Sequence, residues 1–343
     1  MKSLWGTVIV TYRCNAHCNM CDIFKYPSKI NEELTLDDIR KLPDNMAFVN
    51  ITGGEPFVRE DLPEIVENLM KKSKRVVVST NGWFSDRIIS LCERFPNVGV
   101  RVSLEGLEFV NDEIRQLPNG FKRAVGTLKQ LVRMGVRDIG FGMTVQDKNC
   151  GDLVPLYVIS DELGIEFATS AIHNSFYFHK DDNGINDKFR VAQNFEELIN
   201  RMLNAASPKK WFRAYFNHGL INYIYGNKRL LPCEMAKNAF FVDPYGDVVT
   251  CNGSDQKSVM GNIRDCETFD EIWRSQKAKA ARGRVKLCDK NCWMIGSAAP
   301  SIYKYFWIPV WWVVKNKLLN GGKYSIYENK FINDGEGAGT TLC

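Results

Sequence analysis

The chain has 343 residues, of which 45% are hydrophobic and 25% charged, so its composition is that of a folded globular protein and excludes wholesale disorder. This length is enough for one large domain and a smaller one. The formal net charge is only +5 and the basic residues are scattered, which argues against a nucleic-acid-binding protein. No secretory signal pattern opens the sequence, so we expect a cytoplasmic protein whose eleven cysteines do not serve as disulfides.

Strand and helix patterns alternate along the first two-thirds of the chain. Short β-branched runs predict strands at 7–11, 48–52, 76–80, 98–104, 139–145 and 165–169. Amphipathic patterns predict helices at 35–42, 62–72, 85–95, 121–134, 153–163 and 195–206. Six such units predict a parallel α/β sheet, either doubly wound or an incomplete barrel, with functional groups at the carboxyl ends of the strands.

Three cysteines, Cys14, Cys18 and Cys21, follow the first predicted strand at once. Thiolates are soft ligands that suit either zinc or an iron–sulfur cluster. A structural zinc ion would need a fourth protein ligand, for which His17 is the only local candidate. Three ligands on a four-iron cluster would instead leave one iron open.

The C-x3-C-x2-C loop and the sequence GGEP at 53–56, after the second strand, together resemble the radical S-adenosylmethionine (SAM) superfamily. This resemblance implies a partial (β/α)6 TIM-like barrel and a 4Fe–4S cluster on Cys14, Cys18 and Cys21. It implies that the open iron binds SAM, and that one electron cleaves SAM to a 5′-deoxyadenosyl radical, which abstracts hydrogen from a substrate. The protein would position these cofactors and exclude competing reactions.

The resemblance also assigns contacts to SAM. Met20 stands where the family usually has an aromatic residue, and it is apolar enough to line the adenine. The GGEP glycines would leave backbone polar groups open to the methionine amine, and the Arg115 guanidinium would bind the carboxylate. The cofactor-binding residues that we predict are Met20, Gly53, Gly54, Glu55, Asn81, Ser103 and Arg115. The alternatives are a surface charge for Arg115 and strand-end turn positions for Ser103 and Asn81.

A second group of cysteines begins at Cys233. Its spacing around a predicted hairpin is similar to the SPASM/Twitch extension found in many radical SAM enzymes. The similarity implies one auxiliary 4Fe–4S cluster held by Cys233, Cys251, Cys288 and Cys292, because a full module with two clusters needs several more cysteines. We expect Cys266 to be a free thiol, and a structural four-cysteine zinc site is the alternative.

These assignments divide the chain into four segments. Residues 1–206 form the radical SAM core, 207–231 a connecting segment, 232–296 a small α+β SPASM/Twitch-like domain and 297–343 an aromatic and basic tail. The apolar run at 305–314 in the tail is too short to span a bilayer. We expect the tail either to cover a hydrophobic face of the protein or to lie in a membrane interface with its lysines at the headgroups. Residues 333–343 are expected to be disordered.

The predicted reaction is an oxidation or a bond formation in which the auxiliary cluster takes part. We rank a small sugar-like or amino-acid metabolite first as the substrate, and keep a peptide or a lipid-linked substrate as alternatives. A flavodoxin- or ferredoxin-type protein is the expected electron donor, and no nucleic acid is expected as a partner. No general base is identified from the sequence. A non-catalytic zinc-binding interaction protein is the alternative of a different class.

Overall fold

A computed structural model describes residues 4–254, 256–328 and 331. Its strands form one sheet in the order β6-β5-β4-β3-β2-β1-β7-β8-β9. The strands are β1 (Trp5–Ile9), β2 (Phe48–Thr52), β3 (Val76–Thr80), β4 (Gly99–Ser103), β5 (Ile139–Val145), β6 (Glu166–Ala171), β7 (Ala239–Val242), β8 (Asp247–Val249) and β9 (Val259–Asn262). Strands β1 to β7 pair in parallel, whereas β8 and β9 are antiparallel to their neighbours.

Helices connect the parallel strands and extend to the C-terminal region. They are α1 (Leu36–Arg40), α2 (Leu62–Lys72), α3 (Ser85–Arg94), α4 (Glu108–Arg115), α5 (Gly120–Arg133), α6 (Leu153–Glu162), α7 (Lys188–Asn204), α8 (Pro208–Ile224), α9 (Phe269–Arg274), α10 (Gln276–Leu287), α11 (Ile295–Lys304) and α12 (Trp307–Val313). A π-helical stretch, Val314–Leu319, continues α12. The chain is thus the predicted α/β protein with a TIM-like partial barrel.

The alternation of strands and helices follows the sequence patterns closely. β2, β3, β5 and α2 have the predicted bounds, and β1, β4 and β6 differ from the predicted bounds by one or two residues. α7 begins seven residues before the predicted position 195, and α4 was not predicted. Residues 207–231, expected to connect two domains, contain the 17-residue helix α8, which packs on α7 and β6.

The barrel core is built from the parallel strands. Val8, Ile51, Val78 and Val100 are fully buried, and each lies in a strand flanked on both sides by neighbours. Strands covered on both faces favour β-branched residues, which pack well on a pleated surface. The strands therefore end together at one edge of the sheet, where the loops that follow them meet.

The C-terminal module is joined to the barrel through the sheet itself. β7 pairs in parallel with β1, with Trp5 opposite Ala239, so the described strands of the module extend the barrel sheet. A tight turn joins β7 to β8: the Asp243 carboxylate accepts bonds of 3.0 Å from the backbone N–H groups of Tyr245 and Asp247. The antiparallel pair predicted between Cys233 and Cys251 is confirmed.

The tail folds back onto the barrel as helices α11 and α12. Trp312 packs against Tyr215 and His218 of α8, with ring centroids 5.6 and 5.2 Å apart. The inner face of α12 thus covers a face of the barrel, as one of our two alternatives expects. The expected disorder of 333–343 lies outside the described residues. Within the described ranges, no helix combines the length and the apolar character needed to cross a bilayer.

Candidate active site

A pocket of about 200 Å³ opens at the carboxyl edge of the parallel strands. Its walls come from the loops after β1 to β6, as expected for a barrel enzyme. Nine of the predicted site residues line it together: Cys14, Cys18, Met20, Cys21, Gly53, Gly54, Asn81, Ser103 and Arg115. Residues far apart in the sequence thus share one cavity.

The three cysteines of the first loop lie inside this pocket. Burial raises the pKa of Cys14 and of Cys21 to about 12, and it raises the pKa of Cys18 as well. The thiols are therefore protonated at neutral pH until a metal group displaces their protons. Three soft donors on one loop fit an iron–sulfur cluster.

His17 is placed away from the three thiols. Its ring is stacked on Phe24, with centroids 4.5 Å apart, and it does not line the pocket. In the described ranges, no three His, Cys, Asp or Glu side chains are arranged to hold a single metal ion. The closed zinc site that we considered for this loop lacks its fourth ligand here.

The two glycines of the GGEP loop are packed against the cysteine loop. The Gly54 N–H donates to the Thr11 carbonyl at 2.8 Å, and the Glu55 N–H donates to the Arg13 carbonyl at 2.9 Å. A Cβ atom on Gly54 would lie 2.3 Å from the Arg13 carbonyl oxygen, and one on Gly53 would lie 2.7 Å from that of Thr11. The close approach of two backbones therefore requires glycine at both positions.

Glu55 lies behind the pocket wall and is completely buried. Its carboxylate accepts hydrogen bonds from the Thr80 hydroxyl at 2.7 Å and from the Asn81 N–H at 2.6 Å, so it ties the loop after β2 to the loop after β3. Asn81 in turn donates to the Asn15 side chain at 2.8 Å. Glu55, predicted to bind the cofactor, therefore positions its loop from behind the wall and does not line the pocket, and Asn81 links the pocket wall to the cysteine loop.

Arg115 reaches the pocket from the last turn of α4. Its Nη1 donates to Oε1 of Glu105 at 2.8 Å, while its buried Nε has no hydrogen-bond partner. Burial lowers the pKa of Arg115, but the charges of Cys18 and Glu105 outweigh burial and raise it. A buried donor without a partner, in the wall of a cavity, fits an anionic group of a bound molecule.

The end of β5 and the loop after β6 add pocket residues that sequence reasoning did not assign to the site. They are Thr144, Ile172, His173, Tyr177 and Phe178. The Tyr177 hydroxyl donates to the Gly53 carbonyl, and burial lowers the pKa of His173. Their position at or directly after the ends of predicted strands is the signal that could have identified them, although their residue types are common in any core.

The second cysteine group lies near a half-buried cation, Arg229. Burial raises the pKa of Cys233 and of Cys292, and for both thiols the charges of Cys251 and Cys288 act in the same direction. The structure therefore brings Cys233 and Cys292 each within electrostatic reach of Cys251 and Cys288. Arg229 donates to the Cys292 carbonyl; burial lowers the pKa of its guanidinium, and the thiolate charges of this group offset only part of that effect.

Cys266 lies apart from that group. Its thiol is buried and donates to the Ile263 carbonyl at 3.4 Å. The other four thiols are the set that was predicted to act together, and they are the candidate ligands of a second iron–sulfur cluster.

The loop after β6 lies between the two cysteine groups. Phe176 packs against two buried clusters: Cys14 and Cys21 pack against the first, and Cys233 and Cys251 pack against the second. The Ser175 hydroxyl donates to the carbonyl of Asn252, which follows Cys251. A single short segment thus connects the walls of both candidate cluster sites.

Two family models match the chain. Residues 8–150 match the radical SAM superfamily, and residues 233–293 match SPASM, an iron–sulfur cluster-binding domain. The two matched segments carry the first and the second cysteine group, respectively.

Individual proteins are also similar. Fe-coproporphyrin III synthase of Methanosarcina barkeri is 30% identical over 161 residues, 45% of this chain and 40% of that protein. Mycofactocin maturase MftC of Mycobacterium ulcerans is 25% identical over 283 residues, 78% of this chain and 73% of that protein. SuiB of Streptococcus suis, solved bound to the precursor peptide SuiA, superposes with a TM-score of 0.62 at 16% identity, covering 84% of this chain and 72% of that chain.

Proposed function

Because this chain is a radical SAM superfamily enzyme with a C-terminal SPASM domain, we propose that it modifies a peptide by an oxidative or bond-forming reaction. The observation that supports the radical chemistry in this proposal is the pocket in which three cysteines, two close-packed glycines and the unpartnered Nε of Arg115 meet. This donor set fits an iron–sulfur cluster beside a small anionic ligand.

The radical SAM domain implies a 4Fe–4S cluster and SAM, and the SPASM domain implies auxiliary iron–sulfur chemistry. Cys14, Cys18 and Cys21 would hold the first cluster. When bound, the reduced cluster and SAM supply a 5′-deoxyadenosyl radical that removes a hydrogen atom from the substrate. We assign one auxiliary 4Fe–4S cluster to the second cysteine group, because Cys233 and Cys292 each interact with both Cys251 and Cys288.

The side chains of the pocket orient and enclose the bound molecule. Arg115 would receive the methionine carboxylate at its free Nε, while Glu105 holds the guanidinium in place. The carbonyl of Gly53 is held by the Tyr177 hydroxyl, so the backbone of this loop is fixed where a ligand amine would donate to it. Met20 and Ile172 contribute apolar wall, which limits the access of water to the radical.

A peptide substrate is better supported than the small metabolite that we ranked first. MftC, whose name describes a maturase, aligns over both matched domains, whereas the alignment with the M. barkeri synthase spans less than half of either chain. SuiB, whose fold this chain shares, was solved with a precursor peptide. A lipid-linked substrate has no comparable support.

We also propose the conditions in which the enzyme works. All ten described cysteines are free thiols, which supports a reducing, cytoplasmic setting. A small flavodoxin- or ferredoxin-type protein would deliver the electron that the first cluster requires.

Iron and sulfide analysis after anaerobic reconstitution tests the assignment of both clusters. We expect about eight irons in the intact chain, and about four after either Cys14→Ala/Cys18→Ala/Cys21→Ala or Cys251→Ala/Cys292→Ala. Cys266→Ala is the matched control, because this thiol is buried outside both groups, and it should retain the full iron content.

Product analysis completes the test. With dithionite and SAM, the intact chain should form 5′-deoxyadenosine and the triple cysteine variant should form none. A candidate precursor peptide should change in mass only when the second cysteine group is intact. Nucleoside formation by the triple variant, or unchanged peptide turnover by Cys251→Ala/Cys292→Ala, would contradict the proposal.

A further inference from the structure

The C-terminal helices present an apolar stripe to solvent. In α12, Trp307, Val310 and Trp311 are spaced by three and four positions and so lie on one side of the helix. Tyr303 near the end of α11 and Phe306 in the turn before α12 are exposed as well. Tyr303 is 74% exposed and Trp311 is 65% exposed. We call these five residues, together with the exposed Leu318 and Leu319 of the π-helical stretch, the aromatic stripe.

The same helices are firmly attached through their opposite side. Pro309 and Val313 are buried, and Trp312 packs on α8. The buried side explains why the segment is helical, but it does not account for the aromatic stripe. The residues of the aromatic stripe remain exposed, from 39% for Val310 to 74% for Tyr303. Large exposed apolar patches generally mark interaction surfaces.

The aromatic stripe lies at the amino-terminal edge of the sheet, away from the pocket. The Tyr303 ring contacts Trp5, the first residue of β1, with centroids 6.2 Å apart. Lys317 donates to the Leu203 carbonyl in the last turn of α7 and lies 5.0 Å from the centroid of the Trp211 ring. The candidate active site opens at the other edge. A molecule bound to the stripe would therefore not be positioned for reaction in the pocket, which argues against a substrate peptide as its occupant.

Basic side chains border the aromatic stripe. Trp5 contacts Phe48, and the Arg75 guanidinium lies 5.4 Å from the centroid of that ring. Four cations at this edge lie close enough to repel one another, and they form ion pairs with two carboxylates. The cations are Arg75, Arg101, Lys209 and Arg213, and the carboxylates are Asp138 and Glu166. Lys315 is exposed within the helical segment itself. The surroundings of the stripe therefore carry excess positive charge.

We propose that the aromatic stripe inserts into the surface of a bilayer that contains anionic lipids. Tryptophan and tyrosine are favoured at membrane interfaces, and a helix that buries one apolar face lies in the plane of the membrane. Lysine and arginine at its border attract anionic headgroups. Docking in this way leaves the pocket facing away from the membrane. The inference is independent of the proposed substrate and concerns where the enzyme works.

Vesicle flotation with the full, anaerobically reconstituted chain tests this inference. One set of vesicles contains phosphatidylcholine alone, and a second set also contains phosphatidylglycerol. The test variant is Trp307→Ser/Trp311→Ser, which changes two exposed side chains. The control is Phe109→Ser, because Phe109 is 78% exposed on α4, outside the aromatic stripe. Iron content and the thermal unfolding midpoint establish that each variant is folded.

The intact chain and Phe109→Ser should bind the anionic vesicles and be released by high salt. Trp307→Ser/Trp311→Ser should lose about tenfold or more in vesicle partitioning. The inference is overturned if the intact chain binds neither vesicle, or if the double variant binds as well as the intact chain. It is also overturned if the intact chain dimerises without lipid and the double variant is monomeric, since the stripe would then pair two copies. Equal binding to both vesicle types would overturn the requirement for anionic lipid.

Discussion

The Arg115 guanidinium donates to the Glu105 carboxylate at 2.8 Å, and both side chains are buried in the pocket wall. Glu105 also accepts the Thr144 N–H at 2.7 Å, so its two oxygens join α4 to β5. The Glu105 carboxylate therefore holds Arg115 in place, while the Nε of Arg115 remains available to donate a hydrogen bond to a ligand. The pair links the stability of the barrel to the binding of an anionic ligand.

Replacing Glu105 with glutamine should destabilise the fold. Glu105→Gln leaves the Arg115 charge buried without compensation, which costs about 3 kcal/mol of unfolding free energy. Glu113→Gln on the same helix is the matched control, because Glu113 forms an exposed ion pair with Lys148 worth less than about 1 kcal/mol. Denaturant titration measures both effects, and equal losses in the two variants would contradict this account of the pair.

Removing the Tyr177 hydroxyl should weaken SAM binding. Tyr177→Phe keeps the packing but loses the hydrogen bond to the Gly53 carbonyl, so the GGEP loop is less firmly held. A lost hydrogen bond of about 1 kcal/mol corresponds to roughly a fivefold weaker affinity. Equilibrium SAM binding to the reconstituted protein measures the change, while the iron content should stay constant. Tyr26→Phe, at a half-exposed ring outside the pocket, should leave the affinity unchanged.

Two glycine substitutions should have opposite effects on stability. Gly54→Ala places a Cβ 2.3 Å from a backbone oxygen and should cost about 3 kcal/mol. Gly126→Ala, on the exposed side of α5 with no atom within 4 Å of the added Cβ, should stabilise the protein by about 1 kcal/mol. Urea unfolding measures the stability of both variants, and iron content shows whether each still binds its clusters. A Gly54→Ala variant with normal stability and full iron would show that the two loops can move apart.

The stability of the C-terminal region should depend on pH through His218. Burial lowers the pKa of this imidazole from 6.5 to about 3, and its Nδ1 bonds the Tyr324 hydroxyl at 2.8 Å. Stability is then fully present above pH 6.5 and is lost as the pH falls towards 3, because the unfolded chain binds a proton that the folded chain does not. At pH 5 the loss amounts to about 2 kcal/mol.

His218→Asn removes the titrating group and should remove this part of the pH dependence. The comparison is the difference in unfolding free energy between the intact chain and the variant, measured at several pH values from 7 to 5. Other titrating groups are common to both proteins and cancel in that difference. A constant difference across this range would show that folding does not shift the pKa of this imidazole.

The strands and most barrel helices could be predicted because their patterns are local. β-branched runs mark β2, β3 and β5, and their residues are buried as expected. α8 was not predicted because it buries Asn217, His218 and Asn222 among its apolar residues, so its amphipathic period is weak. α7 begins at the Asp187 cap, which accepts the Arg190 N–H, but the sequence pattern was recognised only from Phe195 onwards.

The candidate site likewise contains residues that could be predicted from the sequence and residues that could not. The cysteines and glycines could be identified because their spacing is tied to the chemistry of the resembled family, and the structure places them in one pocket. Tyr177 and His173 could not be assigned to the site, since each lies there only through the path of the loop after β6. The Glu105–Arg115 pair likewise depends on how α4 is oriented, which no local pattern determines.

The parallel pairing of β7 with β1 determines whether the barrel can be separated from the C-terminal module. Without residues 232–296, β1 would become an edge strand with unpaired backbone groups and an exposed apolar face. The barrel is therefore not a detachable unit, and a chain ended before Cys233 would tend to aggregate through that edge. Loss or gain of the iron–sulfur module during evolution would require a replacement for the seventh strand.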